Sequence, residues 1–424
     1  MFLIKNGNQL ISTLDNIGDE YTIYPRGLCK ENITSEYYKL CEFEEGQEVN
    51  RRLKVMANND ETWTYNKTDK EVKYINITLN SPSTSDYITL STPESEIPIY
   101  ATIDNAASGK RTITIYTNGG YPTFKNGRMD YFLYSFWSMF YDSYAPRGGV
   151  TGLQYLKPLT ITKLDHAFTY CSILDCNTIK HFDTSKVTNF TNLFSYSRIE
   201  NPEALASWDT HSVTNLDSAF DLCTSITNID FIKSWDVSNV TNIRSVFSST
   251  TNLLSFEPIL YTNLSNKLTS SFWYSFARSG ISNLHGLENL YTSKITNFGY
   301  CFENNRNLTN ISAIADWDVS SGTSFSNMFS GYMFSTTPSA SDYNPITSVE
   351  PLENWRLSKA INISKMFGRC NALTDARYLD NWGFTLINDT VYNSLGQTVN
   401  VTDMFLESGV PTNKMPIWYP GNTR

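Results

Sequence analysis

Apolar and polar positions alternate in a fixed phrase along most of this chain. An eight-residue pattern reads VTNFTNLF (187–194), VTNLDSAF (213–220), VTNIRSVF (240–247) and ITNFGYCF (295–302). Related octads are LYSFWSMF (133–140), ITKLDHAF (161–168), TSSFWYSF (269–276), GTSFSNMF (322–329), AINISKMF (360–367) and TVNVTDMF (398–405). Every octad ends in Phe, from Phe140 to Phe405, at steps of 28, 26, 26, 27, 29, 26, 27, 38 and 38 residues. Such self-similarity marks a repeat architecture. Apolar positions one, four and eight have the spacing of one helix face, which predicts a short, roughly two-turn helix in each octad. The Thr-Asn pair at positions two and three would cap its start.

After each octad comes a brief apolar alternation, as in Ile226–Ile229 and Leu308–Ile311, which predicts a short strand. A Trp-Asp pair often follows: Trp208-Asp209, Trp235-Asp236 and Trp317-Asp318, with Phe182-Asp183 as a variant. The Asp is expected to hold turn N–H groups rather than to bind calcium, which needs several converging carboxylates. Strand, turn and short helix, repeated about ten times over residues 128–424, predict an α/β repeat solenoid in which each coil buries its face on the next. Residues 1–127 lack the octad. β-branched runs such as Val72–Leu79, Ile97–Ile103 and Thr112–Tyr116, punctuated by Ser81-Pro82 and Asn118-Gly119-Gly120, predict a small antiparallel β-rich domain, read as a sandwich.

The segments 208–226 and 235–247, WDTHSVTNL…AF…C…I and WDVSNVTNI…VF, resemble the BspA-type leucine-rich repeats. These are akin to repeats of mycoplasma surface lipoproteins, and the likeness covers roughly residues 128–410. The resemblance implies a leucine-rich-repeat-like fold and a role in surface binding rather than catalysis. The last two steps depart from it by about eleven residues each, around Tyr332–Ile346 and Leu379–Gln397.

Composition narrows the chemistry. The chain has 424 residues, a net charge of −9, 40% hydrophobic and only 18% charged residues. Such an acidic balance offers no footprint for nucleic acid or anionic membrane, and no apolar run approaches the roughly 20 residues of a membrane span. The start, MFLIKNG, is broken by Lys5 to Gly7 and does not read as a secretory signal. The seven cysteines are expected to be reduced core residues. Cys29 and Cys41 would pair only in an oxidising compartment, and Cys171, Cys223 and Cys370 share a register three residues after the anchor Phe. His166, His181, His211 and His285 form no metal or catalytic motif, and three of them fall at polar repeat positions. No cofactor and no enzymatic activity are expected.

Octad positions five and six face away from the apolar stripe and are normally polar. Trp137, Trp273-Tyr274 and Tyr300 break that rule and are the candidate binding-surface residues. Packing against a neighbouring segment or subunit and contact with a ligand are both open readings. The expectation is a non-enzymatic recognition protein. Its first setting is a bacteriophage virion, as a fibre or decoration protein, with both chain ends held down. The N-terminal domain would anchor to other virion proteins and the solenoid would meet a host glycan or protein. The alternative is a bacterial cell-surface adhesin.

Overall fold

A computed structural model describes residues 41–58, 72–104, 111–130, 132–133, 149–156, 161–171, 174–264, 267–269 and 271–423. The octad at 133–140, including Trp137 and Phe140, lies almost wholly outside these residues, as does Cys29. The chain divides into two compact units, Met1–Ser212 and Val213–Arg424.

Among the described residues of the first unit, β1 (Glu42–Phe43) and α1 (Gly46–Asn58) come first. Strands β2 (Val72–Thr78), β3 (Ile88–Thr89), β4 (Tyr100–Asp104), β5 (Arg111–Tyr116), β6 (Thr123–Phe124) and β7 (Gly149–Thr151) follow. Five of them form one sheet in the order β3-β4-β5-β2-β7. The sheet is mixed rather than antiparallel: β2 runs parallel to both β5 and β7, while β3, β4 and β5 pair antiparallel. Because β7 lies past residue 127, the sheet draws on the segment that sequence pattern assigned to the repeats. The expected sandwich is thus replaced by one mixed sheet with a helix beside it. Val49 and Leu53 of α1 are fully buried. At Gly46 a Cβ would fall 2.4 Å from the Asp130 carbonyl oxygen, so glycine is required by space.

Among the described residues the octads are not helical. In the second unit the amides of Leu216, Ser218, Phe220 and Leu222 donate to the carbonyls of Asn242, Arg244, Val246 and Ser248, one repeat onward, at 2.8–3.1 Å. The alternate amides close turns within their own repeat: Ala219 to Leu216, Asp221 to Ser218 and Cys223 to Phe220. Asn215 Oδ1 accepts the Asp217 amide at 2.9 Å. Every second N–H is therefore spent on the next repeat, where an α-helix would send it four residues back. The same ladder recurs at Ile363, Lys365, Phe367 and Arg369, which donate to Asn400, Thr402, Met404 and Leu406. In the first unit His166, Phe168 and Tyr170 donate to Thr191, Leu193 and Ser195.

Most of the described repeats take positive φ at two residues to make these turns, for example Ser218 (55°) and Leu222 (56°), or Tyr300 (57°) and Asn304 (51°). A left-handed backbone costs an ordinary residue about 1 kcal/mol or more, and it persists where surrounding bonds over-determine it. The two ladders provide that constraint. Short helical turns do occur, but before the Trp: Pro202–Ser207 ends at Trp208, and Asp230–Ser234 at Trp235. The expected strands shrink to β8 (Leu174–Asp175) paired with β9 (Ile199–Glu200) and to single bridges such as Asn283 with Asn310.

The repeat-ending Phe side chains from Phe168 to Phe405 are buried. In the second unit ring centroids are 5.6 Å apart for Phe220–Phe247, 5.9 Å for Phe276–Phe302 and 5.6 Å for Phe302–Phe329. Phe329–Phe367 and Phe367–Phe405 continue at 5.6 and 5.8 Å. Between Phe247 and Phe276 the ring of Phe256 intervenes, and a void of about 40 Å³ lies beside them. Trp indoles tie repeats together: Trp317, Trp355, Trp382 and Trp418 donate Nε1–H to Leu287, Ile314, Leu352 and Leu379 at 2.8–3.2 Å.

The Trp-Asp carboxylates bond amides two residues on, as at Asp209, Asp236 and Asp318. Each 38-residue step holds its extra residues by a distinct device. The nearly buried Arg369 pins the first by donating to the carbonyls of Tyr332 and Ser335. The second folds as a hairpin of β10 (Thr385–Ile387) and β11 (Thr390–Tyr392), turned at Asn388-Asp389, both with positive φ. Among the described residues no helix is long and apolar enough to cross a membrane.

Candidate functional site

Positions five and six of the octads lie on the side of the turns opposite the Phe column. In the repeats ending at Phe276 and Phe302 they carry Trp273, Tyr274 and Tyr300, all half-buried. The structure brings these three together. Tyr274 and Tyr300 stack at 4.5 Å with ring planes 17° apart. Trp273 stands edge-on to both, at 4.5 Å from Tyr274 and 6.1 Å from Tyr300. The positive φ of Tyr274 and Tyr300 (57° each) sets both rings at the same phase of consecutive repeats, and the backbone ladder holds them one rung apart.

Charged neighbours complete the cluster. The Arg244 guanidinium lies 4.6 Å from the Trp273 ring centre, and Arg278 is 5.4 and 5.3 Å from the rings of Tyr274 and Tyr332. Arg278 also donates to the buried Glu303 carboxylate at 2.7 Å. Burial pushes the Glu303 carboxyl up, against the pull of Arg278. Burial, with the Glu303 charge, raises the phenols of Tyr274 and Tyr300 above the usual tyrosine range. Asp221 is raised to about 6 by burial, against a hydrogen bond from Ser248 and the charge of Arg278. The arrangement is an aromatic ridge with internally paired charges, suited to contact with the face or edge of a ligand.

Sequence reasoning stopped at the octad's eighth residue and so missed Asp221, Arg278 and Glu303, which occupy positions nine and ten. The turn alternation runs on through those positions, and extending the octad by two residues would have found them. The same phase carries Tyr170 and Tyr196 in the first unit, stacked at 4.6 Å.

The other singled-out groups have local partners. His211 Nδ1 meets Asp209 and His285 Nδ1 meets Glu288, each at 2.6 Å, and His181 Nε2 contacts the Leu156 carbonyl. Burial lowers His166 to about 4. Cys41, Cys171, Cys176, Cys223, Cys301 and Cys370 are buried free thiols. Burial raises the thiols of Cys171 and Cys370 well above the usual range.

A family profile described as "Mycoplasma protein of unknown function, DUF285" matches residues 162–279 and 267–400, together more than half of the chain. No curated protein and no solved structure matches the chain.

Proposed function

The chain belongs to this Mycoplasma family of unknown function, and from that premise we propose a non-enzymatic recognition protein that presents its aromatic ridge to a surface partner. The observation that carries the proposal is the clustering of Trp273, Tyr274 and Tyr300 on consecutive repeats, half-exposed at positions that are polar in most other repeats. Aromatic side chains that remain partly open on a rigid support are the usual anchors of an interface.

The finer assignment, a BspA-type leucine-rich-repeat-like solenoid, belongs to the same proposal. Its support is the one-repeat-onward amide ladder and the buried Phe column within Val213–Arg424.

Two settings are proposed. In the first, the chain is a virion-associated phage protein, anchored through its N-terminal β-rich part to other virion proteins while the repeats meet the host surface. In the second, it is a bacterial cell-surface adhesin. Co-sedimentation with purified phage particles supports the first; recovery in the cell-envelope fraction supports the second.

The recognition role is tested with the labelled full chain on bacterial cells. Trp273→Ala is expected to lower cell binding by about tenfold while the thermal transition stays in place, a loss of about 1.4 kcal/mol. Unchanged binding would clear this ridge of any role.

A further inference from the structure

We infer that a groove along the position-ten turns of the second unit binds an acidic sugar, through its carboxylate and the hydroxyls beside it. Position ten of four consecutive repeats lines the groove, as Leu222, Ser249, Arg278 and Asn304, together with Thr251 and Arg306 at position twelve. Its volume is about 340 Å³, the scale of a small-ligand site. None of Trp273, Tyr274 and Tyr300 lines it, so the inference goes beyond the recognition reading and does not depend on the ridge.

Asn304 is the residue that the repeat does not explain. It is only 4% exposed and has a φ of 51°. That backbone does not require Asn, since Leu222, Ser249 and Arg278 take 55–57° at the same position. Its Oδ1 is buried without a partner, and among the described residues no hydrogen bond holds either end of its carboxamide. A buried amide left unpaired is costly, and one that lines a groove is open to pairing with a ligand. With no bond fixing it, the group is free to present either its N–H donors or its oxygen.

Arg306 supplies the charge. Arg278 is already spent on Glu303, at 2.7 Å. Arg306 is exposed and forms no ion pair among the described residues. Glu303 and Asp342 feel its charge, yet both have other bonds. Glu303 holds Arg278, and Asp342 accepts the Ser339 amide and hydroxyl at 2.7 and 3.0 Å. One guanidinium without a carboxylate partner therefore borders the groove. Its planar fork matches a carboxylate with two parallel N–H···O bonds.

A single such cation favours a monoanion over a phosphate. The rest of the lining points to hydroxyls. Ser249 is buried and its Oγ has only a 3.4 Å contact, to Ser248 Oγ, and Thr251 is exposed. Each hydroxyl, like the Asn304 amide, both donates and accepts. A bare carboxylate only accepts, whereas a carboxylate flanked by hydroxyls answers both needs. Leu222 offers apolar surface to the C–H face of a ring. An acidic pyranose combines these features in one small molecule.

The test is titration calorimetry of the full chain at low salt with glucuronate, galacturonate and N-acetylneuraminate. Glucose, galactose, acetate, inorganic phosphate and a Glu-Glu dipeptide are the comparison ligands. At least one acidic sugar is expected to bind with a roughly millimolar Kd, about tenfold tighter than every comparison ligand, and more weakly as salt is added. Arg306→Gln should weaken it about tenfold with the thermal transition in place. Asn304→Asp, which keeps the shape and adds a negative charge, should abolish it; where that chain's melting transition shifts, Arg306→Gln decides alone. Failure of all three acidic sugars to bind overturns the site. So does equal binding by the neutral sugars, acetate or phosphate, and so does binding unchanged by Arg306→Gln. Binding by the dipeptide alone overturns it in favour of an acidic protein partner. Cell binding through Trp273 is read in a separate assay, so the two proposals fail independently.

Discussion

The inner and outer rows of the second unit share one backbone and obey different rules. Inward, octad position eight is Phe in every repeat and is buried, with rings 5.6–5.9 Å apart along Phe276, Phe302, Phe329, Phe367 and Phe405. Position six, half-buried or exposed except at Ser245 and Asn327, passes through Ser218, Ser245, Tyr274, Tyr300, Asn327, Lys365 and Asp403 with no loss of the positive φ. The inner row is held by packing, which tolerates little change in volume. The outer row is held by main-chain bonds, which do not depend on the side chain. Repeats built this way can vary their surface freely while keeping their core, the division of labour a recognition scaffold needs.

Breaking the inner row should have the largest effect. Phe302→Ala removes a ring stacked on both sides and should cost about 3–5 kcal/mol in denaturant unfolding. Phe247→Ala should fall at the lower end of that range, since Phe247 already borders the void and stacks on Phe220 alone in the column. Equal costs would mean that the void is filled and the column is uniform.

A middle effect is expected where the main-chain bonds draw on a side chain. Asn362 Oδ1 accepts both the Ser364 amide and hydroxyl, at 3.1 and 2.7 Å. Asn362→Ala should cost about 1 kcal/mol, and no loss would show that the ladder alone holds the turn. Asp221, at position nine, should respond through pH. Asp221 has a folded value of about 6 against an ordinary 3.8. The folded state binds its proton more tightly, so this group's contribution is full below about 3.8 and is lost as pH rises through 6. Asp221→Asn should therefore raise the melting temperature near pH 7 and flatten its fall between pH 4 and 6. A melting curve with unchanged pH dependence would remove Asp221 from that role.

Much of this was legible in the residues. The Phe phase marks a buried column, the Asp of each Trp-Asp pair holds the turn it was expected to hold, and Trp273, Tyr274 and Tyr300 are adjacent as their shared phase implied. The helix expected in each octad is the instructive failure. Apolar spacing of three and four residues fits one face of a helix, and it fits a run of overlapping turns equally well. What separates them is where the amides of Ser218 and Phe220 go. They go to residues 26 places onward, which no local window contains. The mixed sheet was hidden for the same reason, since the parallel pairing of β2 with β7 joins residues 75 apart in sequence.

By itself the sequence determined periodicity, which side chains turn inward and which surface is aromatic, because these follow from residue type at a fixed phase. Only the tertiary structure decided the local conformation of the octad and the place of Arg278 and Glu303 beside the ridge. Each of those depends on a neighbour one repeat away, and a backbone amide takes whichever acceptor the folded neighbour offers.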